Sequence, residues 1–183
     1  MSFSSDTKQE LCRLEPERDC CRRAECYGAF LLANSFSPSS VSLLTESATV
    51  AHRAAQEAAE TAGVMAEVSS AVVRKGGRTT FAVSIPGEDQ RLRFLHHFSH
   101  RSGEVNLRIH EENLAHPCCV PAFLRGAFLS CGTVTAPEKG YDLEFSVPFM
   151  NLAHDLALLL GRAGGIGLQP AVANREGRVI VDL

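Results

Sequence analysis

Apolar and polar positions alternate along this chain in two distinct periods, and the same succession of periods occurs twice. Residues 20–33 and 118–131 are predominantly apolar, which predicts two apolar helices. A short strand and a turn follow each, at residues 37–40 and 136–140, with Pro38, Pro137 and Gly140 as the turn formers. Second strands are expected at residues 41–45 and 141–147. In the latter, Leu143, Phe145 and Val147 alternate with Asp142, Glu144 and Ser146, the period of a strand with one buried face. Helical periodicity returns at residues 49–62 and 149–163, with Gly63 and Gly164 as C-cap candidates. Each unit closes with a hairpin, its turns Lys75-Gly76-Gly77 and Arg175-Glu176-Gly177 flanked by β-branched residues. The pattern predicts an α+β fold of two pseudo-symmetric αββαββ repeats. Two helices lie outside it, residues 5–14 and 89–100, the second carrying Leu92, Leu95 and His96 along one side.

Residue identities support a duplication. Seven of the twelve positions in residues 20–31 recur in residues 118–129, namely the Cys pair, one Ala and Gly-Ala-Phe-Leu. Further on, Ala51, His52, Ala55 and Gly63 match Ala153, His154, Ala157 and Gly165. A third match pairs Ala71, Val72, Gly77 and Arg78 with Ala171, Val172, Gly177 and Arg178, which sets Leu183 opposite Val83. The expected organisation is an N-terminal helix (1–18), a first repeat (19–88), a connecting helix and linker (89–116) and a second repeat (117–183).

Composition adds bounds. Hydrophobic residues make up 45% of the 183 and charged residues 21%, enough for a real core. The net charge of −3 argues against tight DNA binding by this stretch alone, because phosphate affinity comes from Lys and Arg. No apolar run is long enough for a membrane span, and residues 1–10 lack the apolar core of a signal peptide, so a cytoplasmic protein is expected. Seven cysteines in such a compartment read as reduced thiols.

Gly28 and Gly126 occupy matching places in the two apolar helices, where glycine costs roughly 1 kcal/mol relative to alanine. Its double occurrence indicates close backbone approach, with Gly28, Ala29, Gly126 and Ala127 as the repeat interface. Through residues 28–36 and 124–134, set in αββαββ units, the chain resembles the LAGLIDADG homing-endonuclease fold. The opening residues 1–11, the stretch Asp19-Cys-Cys-Arg-Arg-Ala-Glu25, and the run from Cys118 through Leu-Arg-Gly-Ala-Phe-Leu to Pro137-Glu-Lys-Gly-Tyr141 are similar to the bacterial WhiA family, over the whole chain. That resemblance implies a transcription regulator of sporulation and cell division, built from an inactive homing-endonuclease-like region and a C-terminal helix-turn-helix. The helix-turn-helix has no counterpart here, so DNA, the expected partner, is targeted mainly through a part this sequence lacks. A protein partner in transcription is the other expected contact.

The resemblance also locates the chemistry. LAGLIDADG nucleases hold divalent metal between two acids, one ending each motif helix, and the metal activates the nucleophile. The corresponding positions are Ala33 and Cys131, and a one-residue shift gives Asn34 and Gly132. Ala33 and Cys131 lack the hard oxygen donors that Mg²⁺ needs and the shifted pair still lacks a carboxylate, so no catalysis, metal or cofactor is expected. The rival enzyme reading would need other acids, such as Glu25 or Asp142. Candidate DNA contacts are the basic hairpin and turn residues Arg74, Lys75, Arg78, Lys139, Arg175 and Arg178, which serve equally as solubilising charge. His96 and His100 have a zinc-compatible spacing without a third ligand, and are expected to be solvated or capping. His52 and His154 are expected to pack around their helices. Cys20, Cys21, Cys118 and Cys119 could meet across the axis, but adjacent cysteines lack the ordinary Cys-x-x-Cys zinc spacing, so this site is not expected. A pure protein-binding module is the third reading.

Overall fold

The structure is a computed structural model that describes residues 2–163, 167 and 169–183. The proposed C-cap Gly164 and the repeat match at Gly165 lie outside the described residues. Helix α1 (Phe3–Leu11) precedes a first repeat of α2 (Asp19–Leu31), β1 (Ser35–Phe36), β2 (Val41–Thr45), α3 (Ala48–Ala62), β3 (Glu67–Val72) and β4 (Thr79–Ser84). Helix α4 (Glu88–His97) and a 3₁₀ turn (Glu111–Leu114) connect it to the second. There α5 (Cys119–Cys131), β5 (Gly132–Val134), β6 (Leu143–Val147), α6 (Met150–Ala163), β7 (Ala171–Arg175) and β8 (Arg178–Asp182) repeat the order, with a 3₁₀ turn (Pro137–Lys139) between β5 and β6. The two antiparallel sheets have equivalent strand orders, β1-β2-β4-β3 and β5-β6-β8-β7.

Local chemistry fixes the boundaries. Ser47 caps α3 by accepting from Val50 N at 3.3 Å, and Gly63 ends it in the left-handed region at φ 64°. Between the paired Arg175 and Arg178, Glu176 and Gly177 both have positive φ, the requirement of a two-residue hairpin turn whose twist suits the strands.

Burial follows the repeat. Ala51 and Ala153 are fully buried at equivalent places in α3 and α6. Val41 and Leu43 point inward from β2, Phe145 and Val147 from β6, and Val83 and Val181 from the central strands. The first repeat packs aromatic rings, Tyr27, Phe30, Phe36, Phe94 and Phe98, whereas α6 supplies leucines, Leu152, Leu156, Leu159 and Leu160.

Three expectations shift. Residues 71–72 and 171–172 are not structural equivalents. Leu43 pairs with Val83 and Val83 with Val68, while Phe145 pairs with Val181 and Val181 with Val172, so Val83 corresponds to Val181 rather than Leu183. The first hairpin is longer, and letters matched from the tip fall out of step with the ladder. Second, α4 buries Phe94 and Leu95, with Phe98 just beyond, and leaves Leu92 and His96 exposed. Third, the helix stops at His97. Ser99 takes φ 62°, and His100 turns inward to near-complete burial instead of being solvated.

Candidate functional site

Helices α2 and α5 form the centre of the molecule, each packed most extensively on the other. From Ala24 to Leu31 every residue of α2 is buried. Glycine is dictated at the crossing: a Cβ on Gly28 would sit 2.2 Å from the Phe123 carbonyl oxygen, and one on Gly126 2.0 Å from that of Glu25. The next neighbours are Ala127 N at 3.2 Å and Ala29 N at 3.0 Å. The four residues expected at the interface therefore meet there, in a reciprocal pattern that a twofold axis between the helices requires.

At the foot of this seam Ala33 is buried and Cys131 half-buried. Burial pushes the Cys131 thiol up to about 11, against the opposing pull of the Lys8 charge. Lys8 reaches this end from α1, over the Phe128 ring at 5.5 Å from its centroid, and burial holds its ammonium below its ordinary value. Helix α1 is tied to the second sheet, where Val134 N donates to Ser4 Oγ at 3.3 Å. Its residues border an open cleft of about 700 Å³ together with Leu44, Thr80, Ser130 and Thr133. Lys8 thus acts on Cys131, and the two positions that would carry a metal nuclease's acids hold a methyl group and a thiol.

Glu25, one of the two acids an enzyme reading would recruit, is fully buried within α2 itself, about two turns before Ala33. Arg53 Nε donates to its Oε1 at 2.6 Å, and Arg125 Nε and Nη2 donate to its Oε2 at 2.9 and 2.7 Å. Glu57 lies beside this group. Burial, and then the Glu25 charge, push its carboxyl up to about 9.

The outer sheet faces are poor in free positive charge. In the first sheet the outward ranks are Ser42, Ser84 and Glu67, then Leu44, Ala82 and Ser69. In the second, Glu144 and Asp182 face outward with Asp142 beside them; a hydrogen bond with Asp182 raises the Asp142 carboxyl above its ordinary value. Of the basic residues singled out, Arg175 pairs with Glu144 at 3.0 Å, and half-buried Arg178 donates to Ser146 Oγ at 2.7 Å and to its carbonyl at 2.8 Å. Arg78 stands 3.6 Å from Glu46. Arg74, Lys75 and Lys139 are exposed and make no ion pair among the described residues.

Residues 120–183 match the WhiA LAGLIDADG-like domain. Over its whole length the chain is 33% identical to the probable cell division protein WhiA of Heliobacterium modesticaldum, covering 59% of that protein. This chain belongs to the WhiA family. It spans about 60% of the length of the curated WhiA relatives it matches along its full extent. Among solved structures, the N-terminal LAGLIDADG domain of DUF199/WhiA aligns with a TM-score of 0.70 at 16% identity, covering 100% of this chain and 85% of that one. I-DmoI, solved in complex with DNA and Mn, aligns with a TM-score of 0.53 at 12% identity, covering 90% of each chain. These two likenesses establish the fold, α+β of LAGLIDADG type.

In this WhiA-family chain several placements depart from the sequence expectation. His52 and His154 are exposed rather than packed. His100 Nε2 meets the Tyr27 hydroxyl at 2.7 Å, its Nδ1 meets Glu104 at 2.8 Å, and its ring stacks on His110 with centroids 3.8 Å apart. Nothing in the spacing along the chain marks Lys8 as a neighbour of Cys131, or Arg53, Glu57 and Arg125 as neighbours of Glu25. Glu25, set directly before the apolar run from Cys26 to Ala33, was the available signal for the last three, since a buried acid demands cationic partners.

Proposed function

We propose that this region is a non-catalytic module of a WhiA-like regulator of transcription and cell division, making auxiliary contact with DNA through its hairpin and turn tips. The observation that carries it is the foot of the α2–α5 seam, where Ala33 and Cys131 offer no carboxylate and Lys8 supplies a positive charge. Metal-dependent strand cleavage needs oxygen donors holding Mg²⁺ or Mn²⁺ at that place. Solved LAGLIDADG relatives include one bound to DNA with Mn, which supports DNA as the ancestral partner of the architecture. Of the hairpin and turn cations singled out, Arg74, Lys75 and Lys139 make no ion pair among the described residues and are suited to phosphates rather than bases.

Incubation with supercoiled plasmid and Mg²⁺ or Mn²⁺ tests the non-catalytic half: intact plasmid is expected, and metal-dependent nicking abolished by Asp142→Ala would overturn it. A gel-shift assay at two salt concentrations tests the other half. Weak, salt-sensitive retardation is expected, and its absence at low salt removes the DNA role. The second reading, a protein-interaction surface, is favoured by the outward acids Asp142, Glu144 and Asp182, which repel phosphates within a Debye length of about 10 Å. Pull-down from nuclease-treated lysate separates it from DNA bridging.

A further inference from the structure

The end of the α2–α5 seam opposite Cys131 gathers most of the molecule's thiols. Cys20 and Cys21 lie in the first turn of α2, and Cys118 and Cys119 open α5. Cys20 Sγ and Cys118 Sγ are 3.7 Å apart across the pseudo-twofold axis. Around that pair, the donor atoms of Cys20, Cys21 and Cys118 all lie within 4.8 Å of one another, as do those of Cys20, Cys119 and His116. Cys21 and Cys119 are buried, Cys20 and Cys118 half-buried, and His116 is exposed at the rim, so the cluster is enclosed with an approach from solvent.

We propose that Cys20, Cys21, Cys118 and Cys119, with His116 at the rim, form a binding site for a thiophilic cation of the Zn²⁺ class that ties the two repeats together. Four sulfurs held about 2.3 Å from a zinc ion stand roughly 3.8 Å from each other, the separation already present between Cys20 and Cys118. The donor set is sulfur and imidazole without a carboxylate, which selects zinc or a similarly soft ion over Mg²⁺ or Ca²⁺. Two helix N-termini converge on the cluster, and their partial positive charge opposes the burial that favours the neutral thiols of Cys21 and Cys119, a balance that a bound cation tips to thiolate. The missing Cys-x-x-Cys spacing is no obstacle, because the fold brings one adjacent pair from each repeat to the same point. The competing fate of two thiols at this distance is a disulfide, which would consume the central pair.

The test uses the whole 183-residue chain, purified under reducing conditions, stripped with chelator and titrated with Co²⁺ as the spectroscopic probe. One equivalent is expected to give thiolate-to-cobalt charge-transfer absorption with the intense visible bands of a tetrahedral ion, bleached by one equivalent of Zn²⁺. Cys20→Ser and Cys118→Ser should each weaken binding by more than about tenfold, the loss that even indirect damage to a metal site produces. Cys12→Ser, outside the cluster, should bind as the parent does. Zn²⁺ should raise the melting temperature of the parent and of Cys12→Ser, but not of the other two. Circular dichroism of each apo variant verifies that it is folded. Absence of the charge-transfer band in the parent chain overturns the proposal whatever the variants do. So does full binding by both cluster variants, or a Cys20–Cys118 disulfide that persists under the reducing conditions used.

Discussion

Arg125 Nη2 donates to Glu25 Oε2 at 2.7 Å, so a guanidinium from the second repeat neutralises an acid fully buried in the first. Arg53 holds the other oxygen from α3. The three side chains lock α2, α3 and α5 around one charge, beside the glycine crossing. Removing one cation from a buried group leaves the acid under-compensated, which typically costs several kcal/mol. Arg125→Met should therefore destabilise the chain by about 3 kcal/mol in urea unfolding, the lower end of the usual range because Arg53 stays in place. Combining it with Glu25→Gln should recover part of that loss, since the second change removes the stranded charge. Strictly additive losses would show that the pair is not coupled.

A glycine-to-alanine change inside a helix ordinarily gains about 1 kcal/mol. At Gly126 the sign should reverse. The added methyl would lie 2.0 Å from a backbone carbonyl oxygen, and backbone yields only if the helices part. Gly126→Ala is expected to lower stability by about 2–3 kcal/mol, and Gly126→Leu by more. Gly63→Ala meets no atom and is costly only through its positive φ, so its effect should be smaller. Equal melting temperatures for Gly126→Ala and the parent chain would refute close approach as the reason for this residue.

Gly28 and Gly126 illustrate what the sequence makes legible. A duplicated Gly-Ala-Phe-Leu in two apolar helices pointed directly to the crossing, because a local penalty repeated in register calls for a tertiary cause. Strand period and turn residues likewise located β6 and the Glu176-Gly177 turn. Side-chain chemistry was less readable. Glu25 looked available for catalysis, and only the fold shows Arg53 and Arg125, distant in sequence, converging on it. On α4 the expected side of Leu92, Leu95 and His96 holds only at Leu95, because the helix is too short and polar for its period to single out Phe94 beside it. The hairpin register failed for another reason: identical residues at two tips say nothing about how long the strands below them are.

Glu57 should make stability depend on pH in an unusual direction for an acid. Burial, reinforced by the Glu25 charge, raises its folded value to about 9, against an ordinary 4.5. A raised folded value means the native state holds the proton more tightly. The contribution is fully present below pH 4.5 and is lost progressively as the pH climbs to about 9. Glu57→Gln keeps a donor beside Glu25 and cannot ionise. Its melting temperature should move upward relative to the parent between about pH 5 and pH 8, by a few degrees for each kcal/mol in a domain of about this size. A difference that stays constant across that interval would mean Glu57 is ionised in the native state.

The hairpin tips separate free charge from charge already engaged. Arg74 and Lys75 make no ion pair among the described residues, whereas Arg175 is paired with Glu144 at 3.0 Å. If the tips meet phosphates, removing one cation from the DNA interface should reduce the slope of log affinity against log salt by about 0.9. The double variant Arg74→Ala/Lys75→Ala should lower the slope by nearly two and weaken binding to all DNA sequences alike, because phosphate contacts position without reading bases. Arg175→Ala should change the slope little, as Glu144 already satisfies that guanidinium, and the Glu144 carboxylate it exposes should weaken binding mildly at low salt. Fluorescence anisotropy with a labelled duplex over a salt series measures both. A slope unchanged in the double variant would place the DNA contact away from the first hairpin, and a large loss from Arg175→Ala alone would mean its ion pair opens on binding.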